Sequence, residues 1–188
     1  TVAKAIPIDT LLYVKEHPTQ KDKSWRSVKD YKKIINIPNV RLIHPSVNSL
    51  ELVEKSEGII TISGSTGFEA LFYKKPVIIF GDEHYEDLPM VTKITKIGNL
   101  AQEIKTALTK YRFDEDELNI FMEVFNKQSL HIRYSNIMKE GVLLSAIQRN
   151  GENFQLTDKY FQNYVSKYNE DFKLIASTVL KRIKENVQ

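Results

Sequence analysis

Short apolar runs alternate with amphipathic segments through the first half of the chain. Runs at 11–15, 40–43, 58–62 and 76–80 have the length and composition of buried strands, and a fifth strand is predicted within Met90–Ile97. The segments between the runs carry apolar residues at the spacing of a helix face. Ser24 is placed to cap one of these helices, and Asn48 with Glu51 three residues later resembles a capping box at the start of another. Continuous apolar strands separated by helices predict an α/β fold, in which a parallel sheet is covered by helices on both faces.

The second half of the chain shows helical periodicity. Apolar residues recur at helical spacing in 99–111, 136–148 and 157–185, and Asp114 is placed to cap a further helix. Residues 1–110 are therefore predicted to form the α/β domain, and residues 111–188 a helical C-terminal extension packed on it. The last predicted helix carries an aromatic stripe that we interpret as a packing surface, formed by Tyr160, Phe161, Tyr164, Tyr168 and Phe172.

The composition limits the classes of protein to which the chain can belong and the kinds of site that it can contain. At 188 residues the chain has room for one domain with a helical appendage. It has no cysteine, which excludes disulfides and cysteine-based metal sites and makes a cytoplasmic location the expectation. The net charge of +3 is scattered rather than clustered, so no nucleic-acid partner is predicted. Because the sequence starts at Thr1, we also expect it to be part of a longer protein.

The segment Ser63–Gly67 has the strongest chemical signal in the chain. It follows a buried strand, consists of small hydroxyl and glycine residues, and precedes a predicted helix. Backbone N–H groups and hydroxyls then point to one spot, which is a suitable site for a phosphate. We expect either Ser65 or Thr66 to cap the helix and the other to donate to the anion. A tight turn without a ligand is the alternative, and local chemistry does not decide between the two.

Two other segments follow strands and are predicted to reach the same edge of the sheet, where ligands bind in α/β folds. Lys15 and His17-Pro18 end the first strand, and the histidine can contact a phosphate or a base. The segment Gly81–Asp87 holds four acids and one histidine at a spacing that matches no metal motif, so we interpret it as a solvated loop. Glu69 is favoured near a helix start by the helix dipole, or alternatively binds ribose hydroxyls.

Three motifs follow one another in the first half of the chain. They are Val14-Lys15-Glu16-His17-Pro18, the strand and turn from Gly58 to Leu71, and Lys75-Pro76-Val77-Ile78-Ile79-Phe80-Gly81 with Tyr85. In this order, over residues 9–110, they resemble the bacterial capsule polysaccharide biosynthesis and export family, which includes Kdo transferases. The resemblance implies a Rossmann-like domain that forms the C-terminal, donor-binding half of a glycosyltransferase-B fold.

The resemblance also implies a nucleotide-sugar site, with a CMP-linked sugar such as CMP-Kdo favoured. His17 and Pro18 would contact the nucleotide, with Lys15 on the same face. The phosphate would be held by Ser63, Gly64, Ser65, Thr66 and Gly67. Glu69 would contact the ribose or base, and Tyr85 would line the cleft. It assigns no catalytic residue within the chain. The catalytic carboxylate is expected on a missing N-terminal half.

Partners are likewise implied by the resemblance. It implies a glycan or glycolipid acceptor, allows peripheral association with the inner face of the cytoplasmic membrane, and calls for no cofactor or bound metal. Two alternatives stay open beside the glycosyltransferase. One is a UDP-sugar 2-epimerase or a CDP-polyol phosphotransferase, and the other is a non-catalytic binding or assembly module.

Overall fold

The computed structural model describes residues 1–17, 26–149 and 158–186. The chain divides into two compact units, Thr1–Glu123 and Val124–Gln188. The first unit contains the described strands together with helices, whereas the described part of the second is helical. The predicted α/β class with a helical C-terminal region is confirmed. Residues 111–123 belong to the first unit, where Leu118 is buried in the hydrophobic core.

The first unit begins with a short helix and alternates strands with helices as far as its fourth strand, which the fifth strand follows without a helix between them. Its strands are β1 (Leu12–Lys15), β2 (Val40–Ile43), β3 (Ile59–Thr61), β4 (Val77–Ile79) and β5 (Val91–Lys93). Its helices are α1 (Val2–Ala5), α2 (Val28–Ile35), α3 (Ser49–Lys55), α4 (Ser65–Phe72), α5 (Leu100–Thr109) and the first part of α6 (Glu115–Gln128), with a 3-10 helix at Ile97–Asn99.

The described strands pair in parallel but form two sheets rather than one. β1 pairs with β2, with Leu12 opposite Val40. β3, β4 and β5 form a second sheet, in which Val77 of β4 lies between Ile59 and Val91. The segments that follow β3 and β4 therefore share one sheet edge, as predicted. The segment after β1 does not, because β1 belongs to the other sheet.

Strand β4 is the centre of the core because both of its faces are buried. Alternate residues of a strand point to opposite faces. Val77 and Ile79 pack in a cluster with residues of α4, α6 and the loop after β4, whereas Ile78 packs in a second cluster with residues of α5. Helices thus cover the three-stranded sheet on both sides, and the buried strand fixes the positions of the loops at its edge.

Two helices begin with side-chain caps at residues that the sequence predicts as caps. Asn48 Oδ1 accepts from Leu50 N–H at 3.0 Å at the start of α3, and Asp114 Oδ1 accepts from Glu117 N–H at 3.0 Å at the start of α6. Both residues cap their helices as predicted, but the capping box expected between Asn48 and Glu51 is not formed, because Asn48 accepts from Leu50 N–H instead. The cap predicted at Ser24 lies outside the described residues, and α2 instead begins with a capping box between Ser27 and Asp30.

The second unit contains α7 (Tyr134–Arg149), α8 (Asp158–Lys167) and α9 (Asn169–Asn186). The single helix predicted over 157–185 is thus interrupted at Tyr168. The Lys167 carbonyl accepts from the Arg133 guanidinium at 3.0 Å, so a contact from outside the helix replaces a helical one. Tyr168 is buried against Tyr164 and Phe172, with ring centroids 5.3 and 6.4 Å away, which supports the packing role of these three aromatics.

None of the helices in the described ranges combines the length and the apolar character that a bilayer crossing requires.

Arg133 and Asp171 form an ion pair with several hydrogen bonds in the second unit. Asp171 accepts from the Arg133 backbone N–H at 2.9 Å, from Nε at 2.9 Å and from a terminal guanidinium nitrogen at 2.6 Å. These bonds hold the pKa of the Asp171 carboxyl below its ordinary value. Asp171→Asn is expected to lower Tm by about 5 °C at pH 7, because the change leaves a constrained arginine without its counter-charge.

The same pair predicts a pH dependence of stability. A carboxyl whose folded pKa is depressed stabilises the fold above its unfolded pKa, and this contribution is lost as pH falls through the folded pKa. The Tm difference between wild type and Asp171→Asn should therefore shrink as the pH is lowered below about 4. Circular dichroism melts measure it, with Glu170→Gln as the matched control, since Glu170 forms an exposed pair with Lys173. A constant difference would contradict the assignment.

Candidate functional site

The turn between β3 and α4 is built around an unusual backbone conformation at Gly64. Gly64 is the residue before the first helical residue, and its φ of 138° and ψ of 161° lie in a region that side chains rarely adopt. No side chain caps the helix. The prediction that Ser65 or Thr66 caps it is therefore wrong, because both residues lie inside the first turn of α4.

This arrangement leaves the hydrogen-bond donors of the turn available. The first N–H groups of a helix have no acceptor within that helix, and those of Ser65 and Thr66 have none among the described residues. Within the same described part of the chain, no hydrogen bond uses the hydroxyl of Ser63, Ser65 or Thr66. Ser63 and Ser65 are exposed and Thr66 is half-buried. The turn can thus offer up to five donors to an anion.

The fully buried side chain of Tyr85 supports the backbone of the turn. Its hydroxyl donates to the Gly64 carbonyl at 2.9 Å. Burial, and to a lesser extent the negative charge of Glu83, raises the pKa of Tyr85 to about 12, so the hydroxyl keeps its proton. This placement differs from the predicted one, in which Tyr85 lined the cleft. The residue fixes the backbone of the turn and has no surface left for a ligand.

Gly67 is required by the closeness of Tyr85. A Cβ at position 67 would overlap the Tyr85 hydroxyl and would lie 3.1 Å from Tyr85 Cζ and 3.2 Å from Val77 Cγ1. Gly81 has a similar role after β4, where its N–H donates to the Ile62 carbonyl at 2.7 Å. A Cβ at position 81 would lie 2.9 Å from that carbonyl oxygen. These glycines let the segments after β3 and β4 pack directly against each other.

Glu83 contacts the turn directly, although it was not among the residues predicted from the sequence. Its Oε1 accepts a hydrogen bond from Gly64 N–H, and its side chain is only 14% exposed. A carboxylate is favoured at this place by the positive end of the α4 dipole. The interpretation of Gly81–Asp87 as a solvated loop is therefore wrong at this residue. The available signal was an acid just after the strand that neighbours β3, but the pairing with Gly64 spans 19 residues of sequence.

The rest of the acidic loop is held by one lysine. Lys93 Nζ donates to Asp82 Oδ1 at 2.6 Å and to Glu86 Oε1 at 2.8 Å. These bonds lower the pKa of both carboxyls and raise the pKa of Lys93. Glu86 in turn accepts from the Glu83 backbone N–H at 2.9 Å. In the described part of the chain, no three histidine or acidic side chains are arranged to hold a metal ion.

Aromatic rings cover the flank of the turn. Phe68, on the first turns of α4, stacks on Tyr85 with ring centroids 5.7 Å apart and lies 5.2 Å from the His84 ring. His84 stacks on Phe121 at 6.2 Å. His84 is exposed, while Phe68 and Phe121 are half-buried. Phe68, His84 and Phe121 therefore form an aromatic wall that begins on the first turns of α4.

The remaining predicted residues are only partly brought to the turn. Glu69 is half-buried on α4, four residues after Ser65 and hence on the same helix face. Lys15 Nζ donates to Ser49 Oγ at 3.0 Å, at the start of α3, and α3 packs against α4. His17 is exposed just beyond β1, and Pro18 lies outside the described residues. Their membership of one site with Ser63–Gly67 stays a prediction.

Comparison with known proteins identifies a family for the first unit. Residues 1–110, more than half of the chain, match the family model described as capsule polysaccharide biosynthesis protein. The match spans both sheets and the turn before α4. No curated protein and no solved structure matches the chain.

Proposed function

The chain belongs to the capsule polysaccharide biosynthesis family, and from that premise we propose that it is the nucleotide-sugar-binding half of a glycosyltransferase. The enzyme would transfer a sugar from a nucleotide donor to a growing capsular or surface glycan. A CMP-linked sugar such as CMP-Kdo is the favoured donor. The fold proposed for the complete enzyme is glycosyltransferase-B, with the second Rossmann-like half supplying the catalytic carboxylate and part of the acceptor site.

The observation that carries this proposal is the set of unused donors in the Ser63–Gly67 turn. The N–H groups and hydroxyls of Ser65 and Thr66 have no partner among the described residues, although the backbone beneath them is rigidly held. Donors arranged at a helix N-terminus favour a phosphate. Tyr85 and Gly67 keep this geometry in place before any ligand arrives, so little ordering is needed on binding.

The turn would act on the leaving phosphate. When the acceptor hydroxyl attacks the anomeric carbon, the bond to the phosphate oxygen breaks and negative charge develops on that oxygen. Fixed donors from Ser65 and Thr66 would stabilise this charge more strongly than the charge of the intact donor. Glu69 shares a helix face with Ser65 and would reach the ribose or base. His17 and Pro18 would contact the nucleotide, with Lys15 nearby at the end of β1.

The proposal extends to partners and location. The acceptor would be a glycan or glycolipid. Sugar transfer would take place in the cytoplasm, at the inner face of the cytoplasmic membrane, where such acceptors would be located. The aromatic wall formed by Phe68, His84 and Phe121 would line the route from the turn toward the base or sugar.

Isothermal titration calorimetry with CMP, CDP and UDP tests the donor site. We expect the folded chain to bind CMP, and to bind it more tightly than UDP. Circular dichroism in the same buffer confirms that the sample is folded. Binding of none of the three nucleotides would contradict the donor-site assignment and favour a non-catalytic module. A clear preference for UDP would favour the 2-epimerase alternative, and a preference for CDP the polyol phosphotransferase.

A further inference from the structure

We propose that Glu83 selects the charge of the phosphate that the Ser63–Gly67 turn accepts, favouring a singly charged phosphodiester over a doubly charged phosphate monoester. This inference rests on the nucleotide-sugar function proposed above. It adds a specificity-determining residue to that site, on a loop that carries none of the predicted phosphate contacts.

The carboxylate of Glu83 is a fixed part of the turn. One of its oxygens accepts from Gly64 N–H, and the other lies 3.7 Å from His84 Nδ1. The Glu83 backbone N–H donates to Glu86 Oε2 at 2.9 Å. Glu86 is held in place by Lys93 at 2.8 Å. Two residues further along the same loop, the Tyr85 hydroxyl is bonded to the Gly64 carbonyl at 2.9 Å. The loop thus bonds to both the N–H and the carbonyl of Gly64, and these contacts keep the Glu83 carboxylate at the turn.

This position puts a negative charge beside the proposed phosphate. Gly64 directly precedes Ser65, and the Cα atoms of consecutive residues are about 3.8 Å apart. A phosphate bound to the N–H groups of Ser65 and Thr66 therefore lies next to the Glu83 carboxylate. Repulsion between them is proportional to the phosphate charge, so a second charge doubles it, and the low exposure of Glu83 limits screening by solvent.

The charge of the phosphate changes during the proposed reaction. In a nucleoside monophosphate sugar the phosphate is a diester with one negative charge. Transfer breaks the bond between the anomeric carbon and the phosphate oxygen, and the electron pair stays on that oxygen. The acceptor oxygen bonds to the anomeric carbon, and its proton passes to the catalytic carboxylate proposed on the second half. The product is a monoester that carries about two charges above its second pKa of about 6. Glu83 therefore favours retention of the donor and release of the spent nucleotide, and it offsets part of the stabilisation that Ser65 and Thr66 give to the developing charge.

The experiment compares two ligands that differ by one charge. Cytidine 5′-monophosphate and its methyl phosphodiester are titrated by calorimetry at pH 8 into wild type and Glu83→Gln. Glutamine keeps an oxygen that can accept from Gly64 N–H while the charge is removed. We expect wild type to bind the diester more tightly than the monoester. In Glu83→Gln the ratio of the monoester Kd to the diester Kd should fall about tenfold.

Asp87→Asn is the matched control, because it removes one negative charge from the same loop without touching Gly64. The ratio should change less than about twofold in this variant. An unchanged ratio in Glu83→Gln, with both ligands still binding, overturns the role of Glu83 and leaves the nucleotide site intact. Equal changes in both variants also overturn it, because the effect would then be general electrostatics. Binding of neither ligand to wild type overturns the proposed function together with this inference.

Discussion

Gly67→Ala is expected to destabilise the first unit by about 1–3 kcal/mol and to disorder the turn that begins α4. Alanine normally favours a helix over glycine by about 1 kcal/mol, so the sign of the effect is diagnostic. The added Cβ would overlap the buried Tyr85 hydroxyl and lie 3.2 Å from Val77 Cγ1, and neither side chain has space to retreat. Urea unfolding, followed by circular dichroism, measures the free energy of unfolding.

A double-mutant cycle identifies the cause of that loss. Tyr85→Phe removes the overlapping oxygen and should cost about 1 kcal/mol alone, since the Gly64 carbonyl still accepts from Gly67 N–H. Combined with Gly67→Ala it should restore part of the lost stability, so the two changes are not additive. Gly98→Ala is the control, because a Cβ at position 98 meets no atom within 4 Å. A Gly67→Ala variant as stable as Gly98→Ala would contradict the packing described here.

The double substitution Ser65→Ala and Thr66→Ala should weaken CMP binding about 100-fold while leaving Tm nearly unchanged. Each hydroxyl that donates to a charged phosphate contributes about 1.5–3 kcal/mol, and two lost donors correspond to this change in Kd even after partial compensation. Stability should be little affected, because neither hydroxyl has a hydrogen-bond partner among the described residues. Calorimetry gives the Kd and a thermal melt gives Tm.

Thr109→Ala is the control for the double substitution. Thr109 is an exposed hydroxyl residue at the C-terminal end of α5, and its hydroxyl bonds the Lys105 carbonyl. Its loss should leave the Kd for CMP unchanged. If the Ser65 and Thr66 substitutions also leave the Kd unchanged, the phosphate does not bind at this turn.

Features set by local chemistry could be predicted from the sequence. The run from Pro76 to Phe80 is apolar throughout, and such a run is typical of a strand covered on both faces, as β4 is. Asn48 and Asp114 cap helices through residues two or three positions away. The concentration of hydrogen-bond donors in Ser63–Gly67 could be predicted for the same reason, because these donors are neighbours in sequence, whereas anion binding by them stays a prediction.

Features that depend on distant contacts could not be predicted. The carbonyl of Gly64, at the cap position, accepts from Tyr85, 21 residues away, so the local sequence does not indicate that Ser65 and Thr66 lie inside the helix. The carboxylate of Glu83 reaches Gly64 across 19 residues, so its loop resembled a solvated one. The break between α8 and α9 depends on Arg133, 34 residues before Lys167. No periodicity or short motif encodes such pairings, because each arises only when two segments pack.

The central claim is that the Ser63–Gly67 turn binds the phosphate of a nucleotide, and amide chemical shifts test it most directly. CMP is titrated into ¹⁵N-labelled protein, and the shift of each assigned backbone amide is followed in heteronuclear NMR spectra. The account predicts that the largest changes occur at the N–H groups of Ser65 and Thr66, and that Glu115 and Glu117 on α6 are unaffected. Saturable binding whose largest shifts lie away from the turn, with Ser65 and Thr66 unmoved, would contradict it.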